Sequence, residues 1–383
     1  MPRLLDGLLV LDMAQFLSGP SAALRLGDLG ARVIKVERPR TGDICRTLYL
    51  TDTELGGDST LFHAINRNKE SFAADLKNGA DRAAVKALIA RADVLIQNFR
   101  PGVIERLGFG YEHVRALNPR LVYAGISGYG EEGPWMDLPG QDLLAQAVSG
   151  GMWLSGSEGH GPVPFGLSIA DMLAGHALVE GILAALVRRG ITGEGAHVQT
   201  SLLEAMLDLQ FEVLTTYLND GGRAPARSSL NNAHAYLAAP YGVYATRDGY
   251  LALAMTPLPK LAALLRSEEL ETLSQPPEAG FDKRDQIKRV IADQLVQDTT
   301  EQWLHVLRAE DVWCAPVLSW PDLLGQEAFR RLDMLQTVRR VDGTSLQTTR
   351  SPIRVDGHRP KFESAAPKVG EHTNALIDEF GLR

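Results

Sequence analysis

The sequence predicts an α/β fold with a mostly parallel sheet and helices on both faces, joined to a smaller α+β region. Short apolar runs at 8–11, 31–36, 93–97 and 121–126 alternate with helix-forming segments, the pattern of successive βαβ units. At 383 residues the chain exceeds what one hydrophobic core usually supports, so two domains are expected. A stretch rich in Gly, Pro, Ser and Asn at 219–232 sets the expected division. Residues 1–218 form the first part of a large domain, 219–232 a linker, 233–320 a small α+β domain, and 321–383 a return to the large domain.

The first unit reads Leu8-Leu9-Val10-Leu11, a helical segment entered near Pro20, and Ala31-Arg32-Val33-Ile34-Lys35-Val36. Glu37 follows where a ribose-binding acid would stand in a dinucleotide site. The first turn, Met13 to Pro20, lacks G-x-G-x-x-G, however, which argues against a nicotinamide cofactor. Residues 41–68 read as a long connection carrying Arg46, and Asn66-Arg67-Asn68-Lys69 as a solvated polar loop before a strand at 71–76. A helix at 81–92 leads into the strand at 93–97, which stops at Asn98-Phe99-Arg100-Pro101-Gly102. A helix near 112–117 and the strand at 121–126 repeat the unit. Ligands of such sheets sit beyond the carboxyl ends of the strands, where Gln15, Arg38, Asn98, Phe99 and Gly128-Tyr129-Gly130 fall.

After Gly140-Gln141-Asp142-Leu143-Leu144-Ala145-Gln146, which reads as a helix start, a loop dense in glycine runs from Gly150 to Pro162. Then comes Gly166-Leu167-Ser168-Ile169-Ala170-Asp171-Met172-Leu173-Ala174-Gly175. Helix formers extend from Met172 to Arg189, with Gly190 as the expected residue past the end, so Asp171 sits at or just before a helix N-terminus. An aspartate there is usually a cap. The same place also suits a nucleophile, because the positive end of the helix favours its ionised form and Ala170, Ala174 and Gly175 leave room for a substrate. Beyond Gly190, residues 193–201 read as a turn into a long apolar helix through about Leu218. A hairpin follows with Asp248-Gly249 at its turn, then helices near 259–265, 285–297 and 300–309. The last stretch mixes short strands with loops and ends in a helix at 371–380.

Composition is that of an ordinary globular protein, with 45% hydrophobic and 22% charged residues. A net charge of −8 argues against a general nucleic-acid or anionic-membrane binder. Two cysteines, Cys45 and Cys314, make neither a redox nor a metal-ligand spacing, which fits a reducing cytoplasm and calls for no metal. The first seven residues lack a signal-peptide core, and no stretch approaches eighteen consecutive strongly apolar residues, so a soluble cytoplasmic protein is expected.

Several motifs together resemble the class III CoA-transferases, the CaiB/BaiF group that includes formyl-CoA transferase. They are L-D-G-L-L-V-L-D-M-A at 5–14, G-A-R-V-I-K-V-E-R-P at 30–39, Q-N-F-R-P-G at 97–102 and G-Q-D-L-L-A-Q at 140–146. The Asp171 stretch, V-Q-T-S-L-L-E-A at 198–205 and G-E-H-T at 370–373 complete the set. Each motif alone is weak, but their order and spacing are specific. The resemblance implies a Rossmann-like large domain made from both chain ends, a smaller domain between them, and a homodimer of two interlocked rings. It also implies that Asp171 attacks an acyl-CoA thioester, passes through an aspartyl anhydride and an aspartyl-CoA thioester, and hands CoA to a small carboxylic acid. For CoA, bound as a substrate, the matching positions are Gln15, Phe16, Arg38, Ala74, Lys77, Asn98, Phe99 and Arg106. Arg38, Lys77 and Arg106 suit its phosphates.

Two departures narrow the reading. No basic residue stands at Pro139-Gly140-Gln141-Asp142, where formyl-CoA transferase has one, and its long glycine run in the small domain is absent. Neither departure favours formyl or oxalyl specificity. The nearest rival is an α-methylacyl-CoA racemase, whose G-H-D motif supplies a histidine base. Gln141 stands at that position here, and an amide is no general base at neutral pH. A CoA-binding protein without catalysis is a more distant alternative, which an aspartate at the nucleophile position opposes.

Overall fold

The structure, a computed structural model, describes residues 3–276, 279–362 and 364–382. Its first compact unit comprises the chain through Ala145, Ser168–Leu209 and the chain from Leu332 onward. Six strands of this unit are β1 (Leu9–Asp12), β2 (Arg32–Glu37), β3 (Glu70–Ala73), β4 (Val94–Gln97), β5 (Val122–Ser127) and β6 (Ala196–Ser201). They form one sheet in the order β3-β2-β1-β4-β5-β6, every pairing parallel. The order reverses between β1 and β4, which is the topological switch point where doubly wound sheets bind ligands.

Both faces of the sheet are covered at β1, β2, β4 and β5, which is why these strands read as continuous apolar runs rather than alternating ones. Val10, Val33, Val94, Ile96, Val122 and Ala124 point to one side. There they pack with α1 (Ser18–Asp28) and a 24-residue helix, Ile169–Thr192. Leu9, Leu11, Ile34, Leu95 and Tyr123 point to the other, against α2 (Gly79–Ile89), Leu376 and Phe380. The closing helix Thr373–Phe380 thus brings the C-terminal stretch into the core of the first unit. The remaining elements used below are α3 (Asp142–Val148) and α4, the helix Ile169–Thr192.

α4 is the one helix among the described residues long and apolar enough, by length and composition, to cross a membrane. Its buried stripe of Ala170, Ala174, Gly175, Leu178, Ile182 and Ala185 lies in the core beside the sheet, the position of a central helix in a globular unit. The helix runs past Gly190, the expected stop. Gly193, with φ +79°, is the residue that ends it, its N–H donating to the Arg189 carbonyl.

Three further expectations change. Residues 196–201 are not a turn but β6, the sixth strand. This edge strand pairs only with β5, and its burial alternates instead of forming an apolar run. The long helix expected through Leu218 breaks at Gln210 into Leu202–Leu209 and Phe211–Asn219. Residues 41–68 hold a helix, Thr60–Asn66, capped by the Ser59 hydroxyl. Four polar residues of this stretch and the cluster that follows are not solvated: Arg46, Asn66, Arg67 and Lys69 are buried.

The second compact unit comprises Gln146–Leu167 and Gln210–Arg331. The loop at 150–162 and the helix Phe211–Asn219 therefore group with it, although the sequence reading places them in 1–218. Its sheet is a hairpin, β7 (Gly242–Ala245) with β8 (Tyr250–Leu253), extended by β9 (Cys314–Pro316), all antiparallel. Tyr244, Leu251, Leu253, Leu261, Ile287, Ile291 and Leu307 make its core with the helices Leu258–Leu265, Arg284–Leu295 and Thr300–Ala309.

Candidate active site

The loop after β1 is built for position. Lys35, fully buried on β2, donates to the Ala14 carbonyl at 2.9 Å. Asn98, at the end of β4, accepts from the Gln15 N–H at 2.8 Å and donates to the Gln15 carbonyl at 2.7 Å. Phe16 has φ +61°, a left-handed conformation unusual for a bulky side chain, and its N–H donates to Asp43 at 3.3 Å. Three consecutive residues are thus held from three different elements, which is what sustains a strained backbone.

A buried charge network lies beneath this loop. Lys35 pairs with Asp43 at 2.7 Å, and Lys69 with Asp12 at 2.8 Å. Lys69 also donates to the Pro20 carbonyl and to Asn66. Burial pushes the Lys69 ammonium down to about 8, the Asp12 carboxylate opposing it. Burial would raise Asp12, but the two lysines outweigh it and hold its carboxyl below the ordinary range. Glu37 is fully engaged as well. Its oxygens accept from Arg46, Ser71 and the Asp43 N–H, so the ribose-binding role its position suggests finds no free carboxylate.

Asp171 lies in the first turn of α4, two residues inside Ile169. It is not a cap: no side chain caps this helix, and the Asp171 N–H is itself satisfied by the Asp142 carboxylate at 3.1 Å. α4 meets α1 closely here, since a Cβ on Gly175 would come within 2.5 Å of the Ser21 hydroxyl and 2.9 Å of the Ser18 carbonyl. That approach puts the Ser18 hydroxyl in hydrogen-bond contact with the Asp171 carboxylate. The Asp171 carboxyl is pushed up from 3.8 to about 6, by burial first and by Asp142 second, with Ser18 opposing both. The helix end therefore does not hold this acid low, as its place suggests. It remains ionised at neutral pH yet is more basic than a solvated carboxylate, a combination suited to a nucleophile.

The Ser18 hydroxyl also contacts Asn98 Nδ2 at 3.4 Å. One chain of contacts thus runs from Gln15 through Asn98 and Ser18 to Asp171. Gln15 lines a cavity of about 610 Å3 together with Arg38, Ala74, Lys77 and Phe99, five of the eight residues expected to hold CoA. Met13, Val36, Leu76, Phe99 and Leu107 give it apolar wall. Asn98 stands behind this cavity as the clamp of Gln15, and Phe16 is about half exposed beside it in the chain. Arg106 is elsewhere. It lines a separate depression that shares only Leu107 with the larger cavity.

The expected set contains neither Ser18 nor Asp142, and both touch Asp171. In the sequence Asp142 is marked only by its place in the motif at 140–146, and Ser18 only by lying in the first turn after β1. His160 and His176, the histidines nearest Asp171 in sequence, bond backbone within their own segments, to the Ser157 N–H and the Met172 carbonyl.

The sequence profile described as CoA-transferase family III matches residues 5–373. The chain is 34% identical to the acetyl-CoA:oxalate CoA-transferase of Acetobacter aceti, over 98% of this chain and 95% of that one. It is 32% identical to the succinate–glutarate CoA-transferase of Agrobacterium fabrum, over 98% and 95% of the two chains. Among solved structures, a CaiB/BaiF family protein from Brucella suis superposes with a TM-score of 0.86 at 31% identity, covering 99% of this chain and all of that one. The chain belongs to CoA-transferase family III, the CaiB/BaiF group, and is a class III CoA-transferase.

Proposed function

We propose that the protein moves CoA from an acyl-CoA donor to a small carboxylic acid, with Asp171 as the carboxylate that makes and breaks the bonds. The observation that carries this reading is the carboxylate itself: buried, pushed up to about 6, and tied through Ser18 and Asn98 to the wall of the large cavity. An Asp171 oxygen adds to the thioester carbon and expels CoA as thiolate, leaving a mixed anhydride. The thiolate then attacks the aspartyl carbonyl, releasing the donor acid and leaving an aspartyl-CoA thioester. The acceptor carboxylate attacks the same carbonyl and expels the thiolate again. That thiolate takes the acceptor's acyl carbon from the second anhydride, and Asp171 returns as a free carboxylate. No proton need be stored at any step, which fits a site whose histidines lie on local backbone.

CoA is assigned to Gln15, Phe16, Arg38, Ala74, Lys77, Asn98 and Phe99, with Arg106 at the separate depression. The apolar walls suit the adenine and the pantetheine arm, and Arg38 and Lys77 suit phosphate. The reading extends to an interlocked homodimer, to a large domain formed by both chain ends, and to a cytoplasmic site of action. Relatives are named for oxalate, glutarate and mesaconate. A panel of carboxylic acids assayed with acetyl-CoA and succinyl-CoA identifies the acceptor. Asp171→Ala tests the mechanism: it keeps CoA binding by calorimetry and abolishes exchange, whereas a variant that still exchanges would overturn it.

A further inference from the structure

The Ser18 hydroxyl does not do what its place would ordinarily ask of it. It is buried at the first residue of α1, yet no side chain caps this helix, whose cap position is Leu17. Ser21, in the same turn, makes the usual local bond, its hydroxyl donating to the Ser18 carbonyl at 2.8 Å. The Ser18 hydroxyl instead leaves its own helix and meets Asn98 and Asp171. Donor directions along this chain are fixed. A backbone N–H only donates and a backbone carbonyl only accepts, so the two Gln15 bonds assign Oδ1 and Nδ2 of Asn98. Nδ2 therefore donates to the Ser18 oxygen at 3.4 Å, which leaves the single hydroxyl proton for the Asp171 carboxylate. Among the described residues Ser18 is the one side-chain donor to that carboxylate, while the charge acting on it, Asp142, is negative.

A donor at this point acts on some steps of the transfer and not on others. Thiolate attack on the first anhydride and acceptor attack on the aspartyl-CoA thioester both add to Cγ of Asp171. In each, the carbonyl π pair moves onto the oxygen that stays with Asp171, which then holds a full charge that the resting carboxylate shares between two oxygens. Collapse returns the pair, expelling the donor carboxylate in the first case and the CoA thiolate in the second. The other two additions place the charge on the donor's or the acceptor's own acyl oxygen. A hydrogen bond that strengthens as charge concentrates lowers a barrier instead of only binding the ground state, and here it offsets the repulsion from Asp142.

We propose that Ser18 is a catalytic residue, the oxyanion donor for the two additions at Cγ of Asp171, with Asn98 as the positioning residue that aims its proton. The proposal rests on the Asp171 reading above and adds to it a second group at the reacting carbon. The test compares the wild type with Ser18→Ala and Ser18→Cys, the second nearly isosteric but only a weak donor. Each protein is mixed with an acyl-CoA donor alone at pH 8, where Asp171 is ionised, and the aspartyl-CoA adduct is followed by quenched-flow intact mass; CoA affinity is measured by calorimetry. Both variants bind CoA as the wild type does and form the adduct about a hundred-fold more slowly. Adduct formation by Ser18→Ala at the wild-type rate, recovery of that rate in Ser18→Cys, or a loss matched by equally weakened CoA binding would overturn the donor role while leaving Asp171 as nucleophile. A wild type that turns over the donor yet never carries CoA on Asp171 would overturn the Asp171 reading and the proposal with it.

Discussion

Replacing Asp171 by Asn makes the protein more stable while removing its activity. Holding the carboxyl at about 6 in the folded chain, against 3.8 ordinarily, penalises the ionised form on folding. At about 1.4 kcal/mol per pH unit, the penalty is at most about 3 kcal/mol, and solvent reaching the partly exposed side chain trims it to about 2 kcal/mol. The folded carboxyl binds its proton more tightly than the unfolded one. Its contribution is therefore most favourable below pH 3.8 and is lost as pH rises through about 6. The amide carries no charge, so Asp171→Asn gains the full amount at pH 8 and about half of it at pH 5. Urea unfolding of wild type and variant at both pH values measures this. A variant no more stable than wild type at pH 8, or a gain that does not change with pH, would refute a site that stores an unfavourable charge.

Two further perturbations address the groups around this carboxylate. Asp142→Asn keeps an acceptor for the Asp171 N–H but removes the charge that helps raise the acid. The acid limb of kcat/KM, expected near pH 6 in the wild type because only ionised Asp171 attacks, moves to lower pH in the variant; an unmoved limb would show that Asp142 does not act through charge. Asn98→Ala removes both bonds to the Gln15 backbone, so KM for acyl-CoA rises roughly ten-fold in steady-state assays, and an unchanged KM would show that the loop holds its shape without this clamp.

Four of the six sheet strands, β1, β2, β4 and β5, are legible in the sequence as apolar runs because both their faces are buried, and β3 is expected at 71–76 without such a run. β6 is not legible, since an edge strand of Ala196-His197-Val198-Gln199-Thr200-Ser201 has no such run. The polar residues at 41–69 mislead for a related reason. Arg46, Arg67 and Lys69 read as solvent-exposed until their partners Glu37, Asp28 and Asp12 are brought against them by the fold. At the site, Asp171 and the strand-end loops are visible from pattern and motif. Ser18 and Asp142 depend on how closely α4 approaches α1 and on where α3 begins, distances that spacing along the chain does not encode. The raised carboxyl is likewise a property of burial and of a neighbour 29 residues away in sequence.

The central claim is that Asp171 itself becomes acylated, and trapping tests it most directly. The protein is incubated with an acyl-CoA donor in the presence of hydroxylamine, digested, and the peptide carrying Asp171 analysed by tandem mass spectrometry. Attack of hydroxylamine on an aspartyl anhydride or thioester releases the acid or CoA and leaves a hydroxamate on the side chain. A hydroxamate at Asp171, absent without donor, is the predicted result. An unmodified Asp171 after exposure to a donor that the protein demonstrably turns over would contradict the account.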